Sequence, residues 1–387
     1  MGRTPMTLPN YHDGSIVNLM STIVKAMGGK THHHPLKILP PGEIGNSKNI
    51  VLIVIDGLGY NLLSKHGTGT TLMNHLHGKM TSVFPTTTAA AITSYKTGLE
   101  PAEHGLVSWY IYLKELGFIA VPLRFTVRGG KAINDELAKH MFDSKNVFDK
   151  VKARPFVVAP DILVDSTYTA SYSGRAKRIP FNNLAGMARA IIKIVKHGSK
   201  RKYIYAYWHM LDSISHKRGP ESRKTIAELK RVDAAFSLLI KKLEGTGTTV
   251  ILSADHGQTT IPPTRRILLN DYPDIMECLV VPLSGDAREA FAYVRAGREK
   301  KFETLMRKHL GHACDVYKSE EFASQGYFGT GKSHKRFLDR IGDYVIISKD
   351  GYALIDELPG CKPKKVIGYH SGMSEDEMYV PVIVAKC

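Results

Sequence analysis

Cysteine is scarce in this chain and never paired. Cys278, Cys314, Cys361 and Cys387 are spread through the last third with no CxxC, which argues against a disulfide framework and against a cysteine zinc site; reduced thiols are expected. No uninterrupted apolar run approaches the roughly 18 residues that a membrane helix needs, so no membrane span is expected. Residues 1–29 lack the continuous apolar core of about 7 to 15 residues that a secretory signal carries, because Asn, His and Asp follow an early Arg; the expected location is cytoplasmic. Internal repeats and low-complexity tracts are absent. Acid is short relative to base, with 36 Asp and Glu against 53 Lys and Arg and a formal net charge of +17. Such a field concentrates anionic substrates or nucleic acid near the surface. The bases form only modest clusters, at 174–178 and 196–202, and no long basic arm.

What is present describes an ordinary folded protein. At 387 residues, 43% hydrophobic and 23% charged, the chain is long enough for one large core with a smaller subdomain, or for two domains. Short β-rich apolar runs recur at 49–56, 80–85, 155–160, 202–208, 248–257 and 379–385 and predict buried strands. Helical patterns lie between them. The clearest is 222–244, where Ile226, Leu229, Val232, Phe236, Leu239, Ile240 and Leu243 form one apolar stripe that Gly245 ends; 183–196 is a second. Alternation of strands and helices predicts an α/β fold with a mostly parallel, doubly wound sheet sandwiched by helices. The pattern changes at 262–365, which is expected to be an inserted cap subdomain in a core made of 1–261 and 366–387.

The first strand, "NIVLIVIDG", opens like a dinucleotide-binding strand but ends on an acid, Asp56, where such a site wants glycine. Carboxyl ends of strands are where open α/β sheets place their ligands. Asp255 and His256 follow another apolar run, Asp212 and His216 lie just after "YIYAYWH", and His370 precedes the last strand. Singly, a strand-terminal Asp is more often a helix cap or turn residue than a ligand. Together, three Asp and three His are a ligand set for two divalent ions, since carboxylate and neutral imidazole suit zinc or a similar metal. If Asp212 begins a helical turn, His216 falls on the same face.

A two-metal site needs a nucleophile, and 83–106 offers one. Three threonines, Thr86, Thr87 and Thr88, follow a strand expected to end at Phe84 and precede an alanine-rich helix. A hydroxyl at a helix N-terminus faces unpaired N–H groups and the positive dipole end, which favour an alkoxide and bind phosphoryl oxygens. Threonines are also good N-caps, and that reading stays open. The run 32–34 is three consecutive histidines, expected as a solvated loop, with a metal-binding tract the other reading.

In order along the chain stand "IVIDG", "FPTTT", "TGLEPAEHG", "DSISH", "ADHG" and "GYHSG". This series resembles the alkaline phosphatase superfamily, specifically its nucleotide pyrophosphatase/type I phosphodiesterase branch, from about residue 49 onward. The resemblance implies an alkaline phosphatase-like α/β core and two divalent ions, usually Zn2+. It places the nucleophile on Thr88, one ion on Asp56, Thr88, Asp255 and His256, and the other on Asp212, His216 and His370.

The implied function is a two-metal phosphohydrolase that cleaves phosphodiester or pyrophosphate bonds of nucleotide-like substrates through a covalent phosphothreonine. The substrate is then a small anionic phosphate ester. The chain departs from the family's pattern at "AAAI" (89–92), where nucleotide-cleaving members carry "FPNH", and at Trp109, which stands where they carry a phosphoryl-binding Asn. Trp109 is a candidate substrate contact through its indole N–H or by stacking, with packing the other reading. Ser215 replaces an expected Gly. These departures bear on the substrate and keep phosphomonoesterase, phosphonate hydrolase and phosphotransferase readings alive. A non-catalytic, basic nucleic-acid-binding protein is the reading from a different class.

Overall fold

The computed structural model describes residues 6–142, 146–358 and 365–387, so Cys361 lies outside the described residues. Seven strands form the central sheet. In chain order they are β1 (Asn49–Ile55), β2 (Leu76–Thr81), β3 (Arg154–Pro160), β4 (Lys177–Phe181), β5 (Lys202–Trp208), β6 (Thr248–Ser253) and β7 (Tyr379–Lys386). Across the sheet they run β2-β7-β6-β1-β5-β3-β4. β1 pairs in parallel with β5 and β6, and β3 pairs in parallel with β5 and β4. The only antiparallel pairings among the seven are those of β7, with β2 and with β6. The mostly parallel sheet expected from the apolar runs is present. β1 lies in the middle and all seven of its residues are buried, which explains why it reads as a continuous apolar run and does not alternate.

The helices that matter here are α1 (Ile16–Ala26), α2 (Thr88–Thr97), α3 (Pro101–His104), α4 (Leu184–Lys196), α5 (Met210–Arg218) and α6 (Arg223–Leu243). Asn183 and Ser222 cap α4 and α6, accepting from the amides of Gly186 and Thr225; such caps contribute about 1 kcal/mol each. Leu229, Val232, Phe236, Leu239 and Leu243 of α6 are buried, while Ile226 and Ile240 flank the stripe half-buried.

One boundary differs from the sequence expectation. The second strand stops at Thr81 and does not run to Phe84. The backbone beyond it is claimed by partners outside the sheet: Ser82 N donates to Met378 O, Phe84 N to the Tyr11 hydroxyl, and Thr86 O accepts from Ser371 N. Pro85 has no N–H to offer a ladder.

Between β6 and β7 the chain builds a separate antiparallel sheet from Ser284–Gly285, Glu289–Ala292, Tyr344–Ser348 and Cys314–Lys318, in that spatial order. It has its own apolar cluster, including Leu269, Phe302, Met306 and Ile346. Phe322 and Phe328 from this segment pack on Phe84, with ring centroids at 5.7 and 5.1 Å. A small sheet that the sequence pattern did not announce, Ile111–Leu113, Phe118–Val121 and Thr126–Val127, reaches the same segment through a bridge between Tyr110 and Gly285.

Part of the basic excess is structural. Arg201 donates to the carbonyls of Gly45 and Ser47, Lys202 to those of Val195 and Gly198, and Arg175 to Ala153. Cys278 and Cys314 are buried free thiols and Cys387 is a half-buried one. No helix among the described residues is long and apolar enough to cross a membrane.

Candidate metal and phosphoryl site

Parallel strands point their carboxyl ends the same way, so whatever follows β1, β5 and β6 meets along one edge. Asp56 directly follows β1. Asp255 and His256 lie just past the end of β6, and Asp212 and His216 ride on α5 immediately after β5. Thr88 is the first residue of α2, behind the N-cap Thr87. His370 follows the short strand Gly368–Tyr369, which pairs with Thr259–Thr260 just beyond His256.

The structure brings all seven of these residues together in two adjoining clusters. In one, His256 Nε2 lies 3.6 Å from Asp56 Oδ1, 3.5 Å from Asp255 Oδ2 and 3.2 Å from Thr88 Oγ1. In the other, His216 Nε2 lies 3.3 Å from Asp212 Oδ1 and 3.2 Å from His370 Nε2. The His256 and His370 rings stack at 3.9 Å and join the two. Within Asp56, Asp255 and His256, and again within Asp212, His216 and His370, the ligand atoms all fall within 4.8 Å of one another.

Two features fit divalent ions. Asp56 Oδ1 and Asp255 Oδ2 are buried with no hydrogen-bond partner, a state that native interiors avoid and a cation would satisfy. The Nε2 atoms of His216 and His370 face each other, and both rings have Nδ1 engaged by a carbonyl: Gly368 O at 2.7 Å for His216 and Thr86 O at 3.0 Å for His370. His256 Nδ1 likewise meets Gly257 O at 3.0 Å. Donation from Nδ1–H leaves the Nε2 lone pair aimed into the site, as a metal-ligating imidazole requires.

A second layer holds the carboxylates. Asp255 Oδ1 accepts from the amides of Gly57 and His256, each at 3.0 Å. The Tyr207 hydroxyl donates to Asp56 Oδ2, and Gln258 Nε2 donates to Asp212 Oδ1. Ser215, which stands where the motif carries Gly, donates to Gln258 Oε1 at 2.5 Å and so braces that amide.

Electrostatics agree with the geometry. Burial, then the charges of Asp255 and Asp212, raise Asp56 well above the usual carboxylate range. Burial likewise raises Asp255 against the opposing pull of His256. Burial, then His256 and His216, hold His370 well below the ordinary imidazole value. Clustered acids that resist ionisation beside a neutral imidazole are what a ligand set looks like before its cation is counted. His216 is the most open of the seven, with 31% of its side chain exposed, whereas Thr88 is 5% exposed.

Sequence reasoning missed Tyr207, Gln258 and Asp286. Gln258, two residues beyond His256, could have been found by its nearness to the "ADHG" motif. Asp286 sits in the inserted segment with nothing local to single it out. Burial pushes it up to about 6, and the charges of His216, His256 and Asp212 all act on it. Trp109 shares no described contact with the seven; it is half-buried with the Arg124 guanidinium 5.6 Å from its ring. Ala89 and Ala90 and Ala91 are completely buried, as is the rest of α2 within a few per cent. The alanines are therefore packing residues of the helix that carries Thr88.

The profile of the type I phosphodiesterase/nucleotide pyrophosphatase family matches residues 50–371. The chain belongs to this family. Its named relatives are phosphodiesterases and nucleotide pyrophosphatases. It is 24% identical over 205 residues to a venom phosphodiesterase of Macrovipera lebetinus, a stretch covering 51% of this chain and 23% of that protein. It is 23% identical over 239 residues to ectonucleotide pyrophosphatase/phosphodiesterase family member 3 of Rattus norvegicus, covering 58% and 27%. The chain thus spans about a quarter of the length of the curated relatives it matches. Among solved structures, murine ectonucleotide pyrophosphatase/phosphodiesterase 5 shares the fold with a TM-score of 0.66 and 19% identity over 86% of this chain and 87% of that one; an inactive form of it has been solved in complex with AMP. Phosphonoacetate hydrolase from Sinorhizobium meliloti 1021, in complex with phosphonoformate, follows with a TM-score of 0.63 and 18% identity over 88% and 90%.

Proposed function

We propose that this family member is a two-metal phosphohydrolase that cleaves phosphodiester or pyrophosphate bonds of nucleotide-like substrates through a covalent phosphothreonine at Thr88. The observation that carries this reading is the position of Thr88 Oγ1, 3.2 Å from His256 Nε2, beside two buried carboxylate oxygens that lack partners. Asp56, Asp255, His256 and Thr88 would hold one divalent ion, and Asp212, His216 and His370 the other, with Zn2+ favoured by the mixed imidazole and carboxylate donors. When bound, such ions lower the pKa of a hydroxyl and neutralise phosphoryl oxygens in an in-line displacement.

The rest of the chemistry falls to the chain's own residues. The positive end of α2 favours the Thr88 alkoxide once the proton leaves Oγ1, and its unpaired N–H groups attract the phosphoryl oxygens. Thr88 Oγ1 forms a bond to phosphorus while the bond to the leaving oxygen breaks, giving the phosphothreonine. Water then attacks phosphorus from the vacated side and Thr88 leaves. Two inversions give net retention at phosphorus.

A panel of bis-aryl phosphodiester, aryl monophosphate, nucleoside triphosphate and phosphonate, with and without chelator, identifies the substrate class. The diester is expected to turn over fastest and only with divalent metal. Thr88→Ala is expected to lose at least about a thousandfold in kcat while retaining its bound metal. Near-wild-type turnover in that variant overturns the assignment of the nucleophile; fastest turnover of the phosphonate would favour the phosphonate hydrolase reading.

A further inference from the structure

The histidine run at 32–34 is a loop, as expected from sequence, with His32 and His34 exposed, but its middle residue is not solvated. His33 is only 7% exposed, and its Nε2 meets Glu103 Oε2 at 2.8 Å. His32 Nε2 meets the other oxygen of the same carboxylate at 2.9 Å, and the two rings lean together with centroids 4.0 Å apart. Glu103 lies on α3, held by the Glu100 amide, which donates to its Oε2 at 2.9 Å. Glu100 stands behind His33, with its Oε1 3.7 Å from Nδ1 and its Oε2 taken by the amides of Thr330 and Gly331 at 2.6 and 2.8 Å.

We infer that His32, His33 and Glu103 form a further divalent-metal site, separate from the Asp and His clusters around Thr88, for Zn2+ or a similar first-row ion. Two imidazole nitrogens and one carboxylate are a donor set for such ions and a poor one for Mg2+ or Ca2+, which take oxygen. The three ligand atoms lie within 4.8 Å of one another. Metal–ligand bonds of about 2.0–2.2 Å separate neighbouring ligand atoms by about 3–3.5 Å, so the present contacts need open by only a few tenths of an ångström. Each Nε2 donates to Glu103 in this structure, so binding of the ion displaces those protons, and the Glu100 carboxylate 3.7 Å from His33 Nδ1 stands ready to accept from Nδ1–H once Nε2 is a ligand. His32, with 61% of its side chain exposed, keeps the site open to solvent on one side and gives the ion a way in.

The site ties the segment after α1 to α3, the helix that follows α2. An ion there acts as a clasp between the first helix and the far end of the helix bearing Thr88. Binding only to the folded state, it raises Tm in proportion to the logarithm of its free concentration. This inference does not depend on the hydrolase reading.

Equilibrium dialysis of the untagged, chelator-stripped full chain against Zn2+ alone, followed by metal counting, tests it. His32→Ala removes an exposed side chain and is expected to leave one ion fewer per chain than wild type, a smaller Zn2+-dependent rise in Tm, and unchanged hydrolytic turnover. Glu103→Gln is expected to show the same one-ion deficit. Asp56→Asn, by contrast, should lower the metal content without touching the ion lost in His32→Ala, so the combined variant loses both. Equal metal content in wild type, His32→Ala and Glu103→Gln overturns the site.

Discussion

Arg288, in the inserted segment, and Glu377, just ahead of β7, form a buried two-pronged ion pair, Nε to Oε1 at 2.8 Å and Nη2 to Oε2 at 2.9 Å. The same carboxylate accepts from the Gly372 amide at 2.8 Å and the Ser374 hydroxyl at 2.5 Å, so it grips the turn that follows His370. Arg288 in turn donates to the carbonyls of Lys349 and Tyr352. Although burial opposes it, Arg288 holds the Glu377 carboxyl below its ordinary range.

Removing one partner strands the other charge. Arg288→Met or Glu377→Gln is expected to lower stability by about 3–5 kcal/mol, and the double variant by much less than the sum. Urea denaturation of the four proteins measures the coupling; additive losses would show that the pair holds nothing together.

Lys96 supplies a pH-dependent prediction. It is buried near the C-terminal end of α2, its ammonium 4.7 Å from the centre of the Tyr168 ring, and burial, then Arg178, lowers it to about 7. The unfolded chain keeps this lysine charged up to about 10.4. Between those values the unfolded state binds more protons, so stability rises with pH across the window, and the cost is complete below about 7. Lys96→Met is expected to gain roughly 2–4 kcal/mol near pH 7, a gain that shrinks toward pH 10, with turnover unchanged because Thr88 is at the opposite end of the helix. A gain independent of pH would mean the effect is packing alone.

Tyr207 and Gln258 are positioning residues, each giving a hydrogen bond to one carboxylate, Asp56 and Asp212 respectively. Tyr207→Phe and Gln258→Ala are expected to weaken metal binding by about 10–100-fold, each at its own cluster. Activity should then recover at high Zn2+, a rescue that a merely misfolded variant would not show.

How far the sequence revealed the site can be argued from these residues. Asp56, Asp255 and His256 were legible because each interrupts or follows an apolar strand, and Asp212 and His216 because four-residue spacing puts them on one helical face. Tyr207 was not singled out: inside "YIYAYW" it is one of three tyrosines that share one face of the strand, and it meets Asp56 because it lies nearest the carboxyl end. Tyr203 and Tyr205 are fully buried, whereas Tyr207 reaches Asp56. Asp286 depends on how a segment inserted between β6 and β7 folds back over the edge, which is tertiary information. The early end of β2 had the same origin, since Tyr11, Met378 and Ser371 are remote in the chain yet take the hydrogen bonds that a longer strand would have used.

The position of β7 has a further consequence. It enters the sheet as a wedge between β2 and β6, although some three hundred residues of chain separate it from β2. While a ribosome is still making residues 379–386, β2 has no neighbour and β6 shows a bare edge. A nascent chain stalled there presents open strand edges to any other chain nearby. Synthesis in the presence of a factor that shields such edges should therefore improve the yield of this protein more than slower synthesis alone.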